Sequence, residues 1–76
     1  MTMLYRLEPE ECATVTDMGD LGALEARLRD FGLVKGTRVV CKYLSPDRAV
    51  GAYKVRGAVL ALRRADIAGI TVRLHE

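Results

Sequence analysis

Tryptophan is absent from these 76 residues, phenylalanine and histidine occur once each, and cysteine only twice. The single histidine, His75, stands one residue from the C-terminus, where chains fray, so a Ser-His-Asp or Cys-His machinery has little to be built from. Cys12 and Cys41 stand alone, without a CxxC spacing, and two cysteines make no disulfide framework. They read as reduced, mostly buried thiols. No GxxxxGK[ST] stretch occurs, so the chain has no P-loop to cradle nucleotide phosphates. The longest uncharged run of the second half, "GAVLAL" from Gly57 to Leu62, is far too short to span a bilayer. The opening "MTMLYRLEPEE" turns acidic where a signal peptide needs its apolar stretch. These absences point to a cytosolic protein with no direct membrane insertion, no enzyme site and no bound cofactor.

What is present is a chain of one domain's length, residues 1–76, half of it apolar. A chain this small buries roughly 60% of its unfolded surface, enough for one thin core. Charge is unevenly placed. Residues 1–30 carry seven acidic against three basic side chains, a net of −4, and residues 31–76 carry nine basic against three acidic, a net of +6. A basic second half permits an anionic partner without requiring one.

Leu21, Leu24, Leu28 and Phe31 recur at helical spacing, with Glu25, Arg27, Arg29 and Asp30 on the opposite face. Asp20 is placed to cap that helix at its start. Gly32 suits the left-handed position past its end, with Leu33 folding back onto Leu28. After the turn at Gly36, "GTRVVCKYL" alternates, with Val39, Cys41 and Tyr43 on one face and Arg38, Val40, Lys42 and Leu44 on the other. "SPDR" is a turn. "VGAYKVR" places Tyr53 and Val55 inward, and Gly57 reverses the chain into "AVLALR". "RADIAG" reads as a short helical turn pinned by Ile67, and "ITVRL" as a last strand with Ile70, Val72 and Leu74 inward. With a strand at "ATVTDM", the pattern predicts five short strands and one helix between the first two. Five such strands close most easily into a small barrel, because closure removes exposed edges.

Two stretches carry a resemblance. "RLRDFGLVKGTRV" resembles the helix-end signature of the ferrous iron transport protein A (FeoA) family, in which a basic, leucine-bearing helix meets apolar-Gly-apolar, then two residues, a glycine and a strand. "YKVRGAVLALRRADIAGITV" is similar to that family's second signature, and Leu4, Leu7, Pro9, Glu11, Ala13 and Val15 match its start. The resemblance covers about Leu4 to Leu74. It departs at turns: Glu10 and Lys35 replace a customary glycine and proline, and Arg48-Ala49-Val50 replaces a Gly-Asp-Pro. The family implies an SH3-like barrel, mainly β. It also implies a non-catalytic cytosolic accessory that contacts the cytosolic part of FeoB, the membrane transporter of ferrous iron.

The residues leave other readings open. Cys12, Cys41 and His75 could in principle be gathered by a barrel into a soft site for a transition metal, yet Cys41 shares a strand face with core residues, and no metal site is expected. Arg38, Lys42, Lys54 and Arg56 project from two outward strand faces, as in a nucleic-acid binder, but Tyr43 and Tyr53 point inward and offer bases nothing to stack on. Nucleic acid is therefore not expected, and the alternatives are a generic small-barrel adaptor and then a nucleic-acid-binding barrel. An unpaired strand edge would permit weak self-association. The surface best suited to a protein partner is the joint between the two glycines, where Val34 and Lys35 are displayed with Arg27 and Arg38 nearby.

Overall fold

A computed structural model describes residues 1–75. Its elements are β1 (Thr2–Met3), a 3-10 turn (Leu4–Arg6), β2 (Cys12–Asp17), α1 (Leu24–Asp30), β3 (Arg38–Leu44), β4 (Val50–Val55), β5 (Ala58–Arg63) and β6 (Thr71–Leu74). Every strand pairing is antiparallel, in the order β1-β6-β2-β3-β4-β5.

The expected five-stranded closed barrel is thus corrected to six strands in an open sheet. The extra strand is the two-residue β1, paired with β6 through Thr2↔Val72 and Met3↔Thr71. It turns at once into the 3-10 segment, whose Leu4 N–H still bonds to the Ile70 carbonyl. So short a strand cannot reach across to β5, and β1 and β5 remain as edges.

The core lies against one face of the sheet: Leu4, Leu7, Val15, Leu28, Leu33, Val39, Cys41, Tyr53, Val55, Ile67, Ile70 and Val72 are buried. Alternation predicted most of them and failed at Tyr43 and Leu44. The β3–β4 register runs Cys41↔Tyr53 and then Tyr43↔Ala52, a bulge that reverses the alternation. Tyr43 is therefore 58% exposed, and Leu44 packs against the core. Leu74, expected inward, is exposed at the last paired position of β6, where its cross-strand neighbour is the small Ala13.

The helix is shorter than its apolar stripe. Its N-cap is Ala23 and not Asp20; the Asp20 carboxylate instead accepts the Gly22 N–H at 3.3 Å, in a glycine-broken turn before the helix. Only Leu28 of the stripe is buried; Leu21 and Leu24 pack partly, and Phe31 is 51% exposed just past the last turn. "RADIAG" forms successive turns, Ile67 N–H bonding to Arg63 O at 3.3 Å, without becoming a helix, and Ile67 is buried as expected.

Tyr53 is buried, and burial pushes its phenol up to about 12 from 10.0. Burial also pushes the Cys41 thiol up. Above the unfolded pKa values the folded chain holds protons that the unfolded chain releases, so stability falls as pH rises. Urea midpoints should decline between pH about 10 and about 12, and Tyr53→Phe should flatten the upper part of that decline.

Candidate functional site

The joint between α1 and β3 is built from backbone geometry. Leu33 N–H bonds to Leu28 O at 2.9 Å and Gly32 N–H to Arg29 O at 2.9 Å, the paired bonds of a Schellman ending. Gly32 has φ +88, which a side chain adopts only with strain. Leu33 returns to the core beside Leu28, as expected. Thr37, the one buried polar residue among the described residues, then locks the loop. Its hydroxyl donates to Gly32 O at 2.8 Å and accepts from Val34 N–H at 3.3 Å, and its own N–H bonds to Val34 O at 3.0 Å. Gly36 N–H donates to Val15 O at 2.8 Å and Val15 N–H to Thr37 O at 2.9 Å, so the joint is fastened to β2. Sequence reasoning missed Thr37, because a threonine at the start of a strand carries no signal of a side chain turned back into the preceding loop.

The four residues expected at this joint are not one cluster. Val34 is half-buried and Lys35 exposed in the loop itself. Arg27 lines a groove between α1 and β5, with Leu24, Phe31, Leu60 and Leu62. Arg38 lies on the other side, in a hollow with Val40, Lys54 and Arg56. Its Nε donates to Cys12 Sγ at 2.8 Å, and the His75 ring stands 3.4 Å from the same sulfur and 2.5 Å from Thr14 Oγ1. His75 does not fray: its backbone N–H bonds to Cys12 O at 2.9 Å and prolongs the β2–β6 pairing.

The outward cations differ in their freedom. Lys42 is paired with Glu10 at 2.8 Å, and Arg48 is paired with Glu8, which holds that carboxyl below its usual range. Lys35, Lys54 and Arg56 have no carboxylate partner among the described residues. Tyr43 is on the surface, contrary to expectation, but Tyr53 is not, so this face offers a base one ring. Of the three soft ligands, Cys12 and His75 meet while Cys41 stays in the core. Among the described residues no three His, Cys, Asp or Glu side chains converge.

The FeoA domain model matches residues 2–74. The chain belongs to the FeoA domain family. It is 30% identical to the FeoA protein of Chlorobium tepidum, with a TM-score of 0.89 over 97% of this chain and 70% of that one. It is 28% identical to the FeoA of Stenotrophomonas maltophilia, with a TM-score of 0.80 over 95% of this chain and 89% of that one. That relative was solved with zinc and is described as a prokaryotic SH3 domain protein and candidate ferrous iron transport activating factor. Iron(II) transport protein A of Clostridium thermocellum shares the fold at 24% identity, with a TM-score of 0.87 over 95% of this chain and 44% of that one. No curated protein sequence matches. The FeoA family's role is ferrous iron transport, and its fold is SH3-like.

Two outcomes check the local geometry. Thr37→Val should cost about 1–3 kcal/mol in urea unfolding, since it strands Gly32 O and Val34 N–H, while Thr37→Ser should lose clearly less. Alkylation of the native chain with iodoacetamide should label Cys12 alone by mass spectrometry, with Cys41 labelled only after unfolding.

Proposed function

We propose that this FeoA domain, spanning residues 1–76, is a non-catalytic cytosolic accessory of a ferrous iron transporter and acts by touching the transporter's cytosolic region. The observation that carries the reading is the family match over residues 2–74. The description of the Stenotrophomonas relative as a candidate transport activating factor supports it. So does the chemistry of the surface. The Cys12–His75 pair is exposed on an outer sheet face, and no P-loop stretch is present. No helix among the described residues is long and apolar enough to cross a membrane.

The contact surface we propose is the joint, Val34 and Lys35 at its crest, flanked by Arg27 and Arg38. The Schellman ending and Thr37 hold the crest rigid, so little ordering entropy is lost on docking. Lys35 carries a charge with no carboxylate partner among the described residues, which suits an acidic patch on the partner.

The double variant Lys35→Glu, Arg38→Glu should fold normally by circular dichroism. It should recover about tenfold less transporter in a pull-down from membranes, and should lower ferrous uptake in cells. Undiminished recovery and uptake by the folded variant would count decisively against this surface.

A further inference from the structure

β5 is an edge strand whose outward backbone can be identified group by group. The β4–β5 register runs from Val50↔Arg63 to Val55↔Ala58, and Arg64 N–H bonds to Ala49 O at 2.8 Å. Bonded and non-bonded pairs alternate along an antiparallel ladder. Ala58, Leu60 and Leu62 therefore exchange bonds with β4, and Val59, Ala61 and Arg63 direct theirs away from it. The Arg63 carbonyl is taken by Asp66 and Ile67 N–H groups at 3.0 and 3.3 Å. That leaves the N–H of Val59, Ala61 and Arg63 and the C=O of Val59 and Ala61 facing outward. Native edges are blunted by proline, bulges or charge. This one has no proline, an unbroken register and a single charge, Arg63, at its end.

Beside the free edge runs the groove between α1 and β5, about 450 Å³. Two large apolar side chains border it uncovered, Phe31 at 51% and Val59 at 59% exposure. A strand added to β5 would send alternate side chains into the groove, against Leu24, Phe31, Leu60 and Leu62. The charges along this seam are unbalanced. Asp66 is bonded to Arg63 at 3.4 Å, while Arg27 on the helix wall has no carboxylate partner among the described residues. Arg56, at the hairpin end of β5, lies over Gly32 at the helix terminus. A second copy of the chain would bring the same arginines to the same seam, where like charges oppose pairing.

We infer that the β5 edge and its groove bind an extended segment of another protein as an added strand, apolar on the groove side and acidic where it passes Arg27 and Arg63. Main-chain bonds would supply affinity, and the groove with its arginines would supply selectivity. This site shares Arg27 with the flank of the joint but involves neither Val34, Lys35 nor Arg38, and it does not depend on the transporter reading.

The test is a titration of the ¹⁵N-labelled full chain with a capped peptide of about eight alternating valines and glutamates, against one of valines and lysines. The acidic peptide should shift and protect the amides of Val59, Ala61 and Arg63, and the basic one should bind at least about tenfold more weakly. Ala61→Pro removes an N–H that faces away from β4, so the ladder is kept while affinity falls at least about tenfold. Should that variant not fold, Val59→Glu decides: its carboxylate stands opposite Lys54, which favours the fold, and it repels the acidic strand. Unmoved amides, equal binding of both peptides, or undiminished binding by a folded variant overturns the inference. Concentration-dependent shifts of the same amides without peptide would make a second copy the occupant and overturn it too. No transporter enters this assay, so its failure would leave the function proposed above standing.

Discussion

One constraint organises the molecule: β2 must be hydrogen-bonded on both sides while the chain leaves it, makes a helix and returns. On one side β6 pairs with it from Asp17↔Thr71 to Ala13↔Leu74. On the other, β3 pairs only from Cys12↔Val40 to Thr14↔Arg38. Beyond Thr14 the partner of β2 is the joint itself, since Val15 exchanges its two bonds with Gly36 and Thr37. The helix ending is therefore part of the sheet. If the joint loosened, Val15 would lose its backbone partners in the middle of the core, and unsatisfied buried amides are costly. That is why the joint makes a rigid platform even though it is a loop.

The departures from the family's turn signature show the same economy. Glu10, where the family customarily has glycine, has φ +74, and Arg48, in the loop where it has Gly-Asp-Pro, has φ +60. Both keep a left-handed backbone that costs a side chain roughly 1–2 kcal/mol. Each is anchored by its neighbours. Glu10 N–H bonds to Cys41 O at 2.6 Å and its carboxylate meets Lys42, while Arg48 N–H bonds to Ser45 O at 2.8 Å and its guanidinium meets Glu8. The turn shape survives the loss of glycine because the sheet dictates it. These exposed ion pairs contribute little energy, and the ladder contributes most.

What could be read in advance was whatever repeats. Leu28, Val39, Cys41, Val55, Ile67 and Val72 fell where period or turn chemistry placed them, and Gly32 ended the helix as its left-handed backbone requires. What failed depended on a partner elsewhere in the chain. The bulge at Cys41–Tyr43 exists because of the β3–β4 register and leaves no local mark, so Tyr43 was assigned to the wrong face. β1 is two residues and shows no period at all. Closure was inferred from the cost of edges, but Thr2–Met3 is too short to cover β5. At the joint, the glycines were legible and the role of Thr37 was not; Arg27 and Arg38 looked like neighbours in sequence and face different hollows.

The uneven charge of the sequence is resolved only in part by folding. Of the four ion pairs among the described residues, Glu10–Lys42 and Glu8–Arg48 join the acidic first half to the basic second half; the others, Glu25–Arg29 and Arg63–Asp66, are local. Among the described residues folding leaves without a carboxylate partner Lys35 on the crest of the joint, Arg27 at the groove beside β5, and Arg38, Lys54 and Arg56 around the hollow on the outer face of the sheet. The groove also offers uncovered apolar surface in Phe31 and Val59, and the joint a half-buried Val34. A charge left over beside an apolar patch selects for partners by sign before contact and by shape after it. A partner of mixed apolar and acidic character suits both the joint and the groove beside β5.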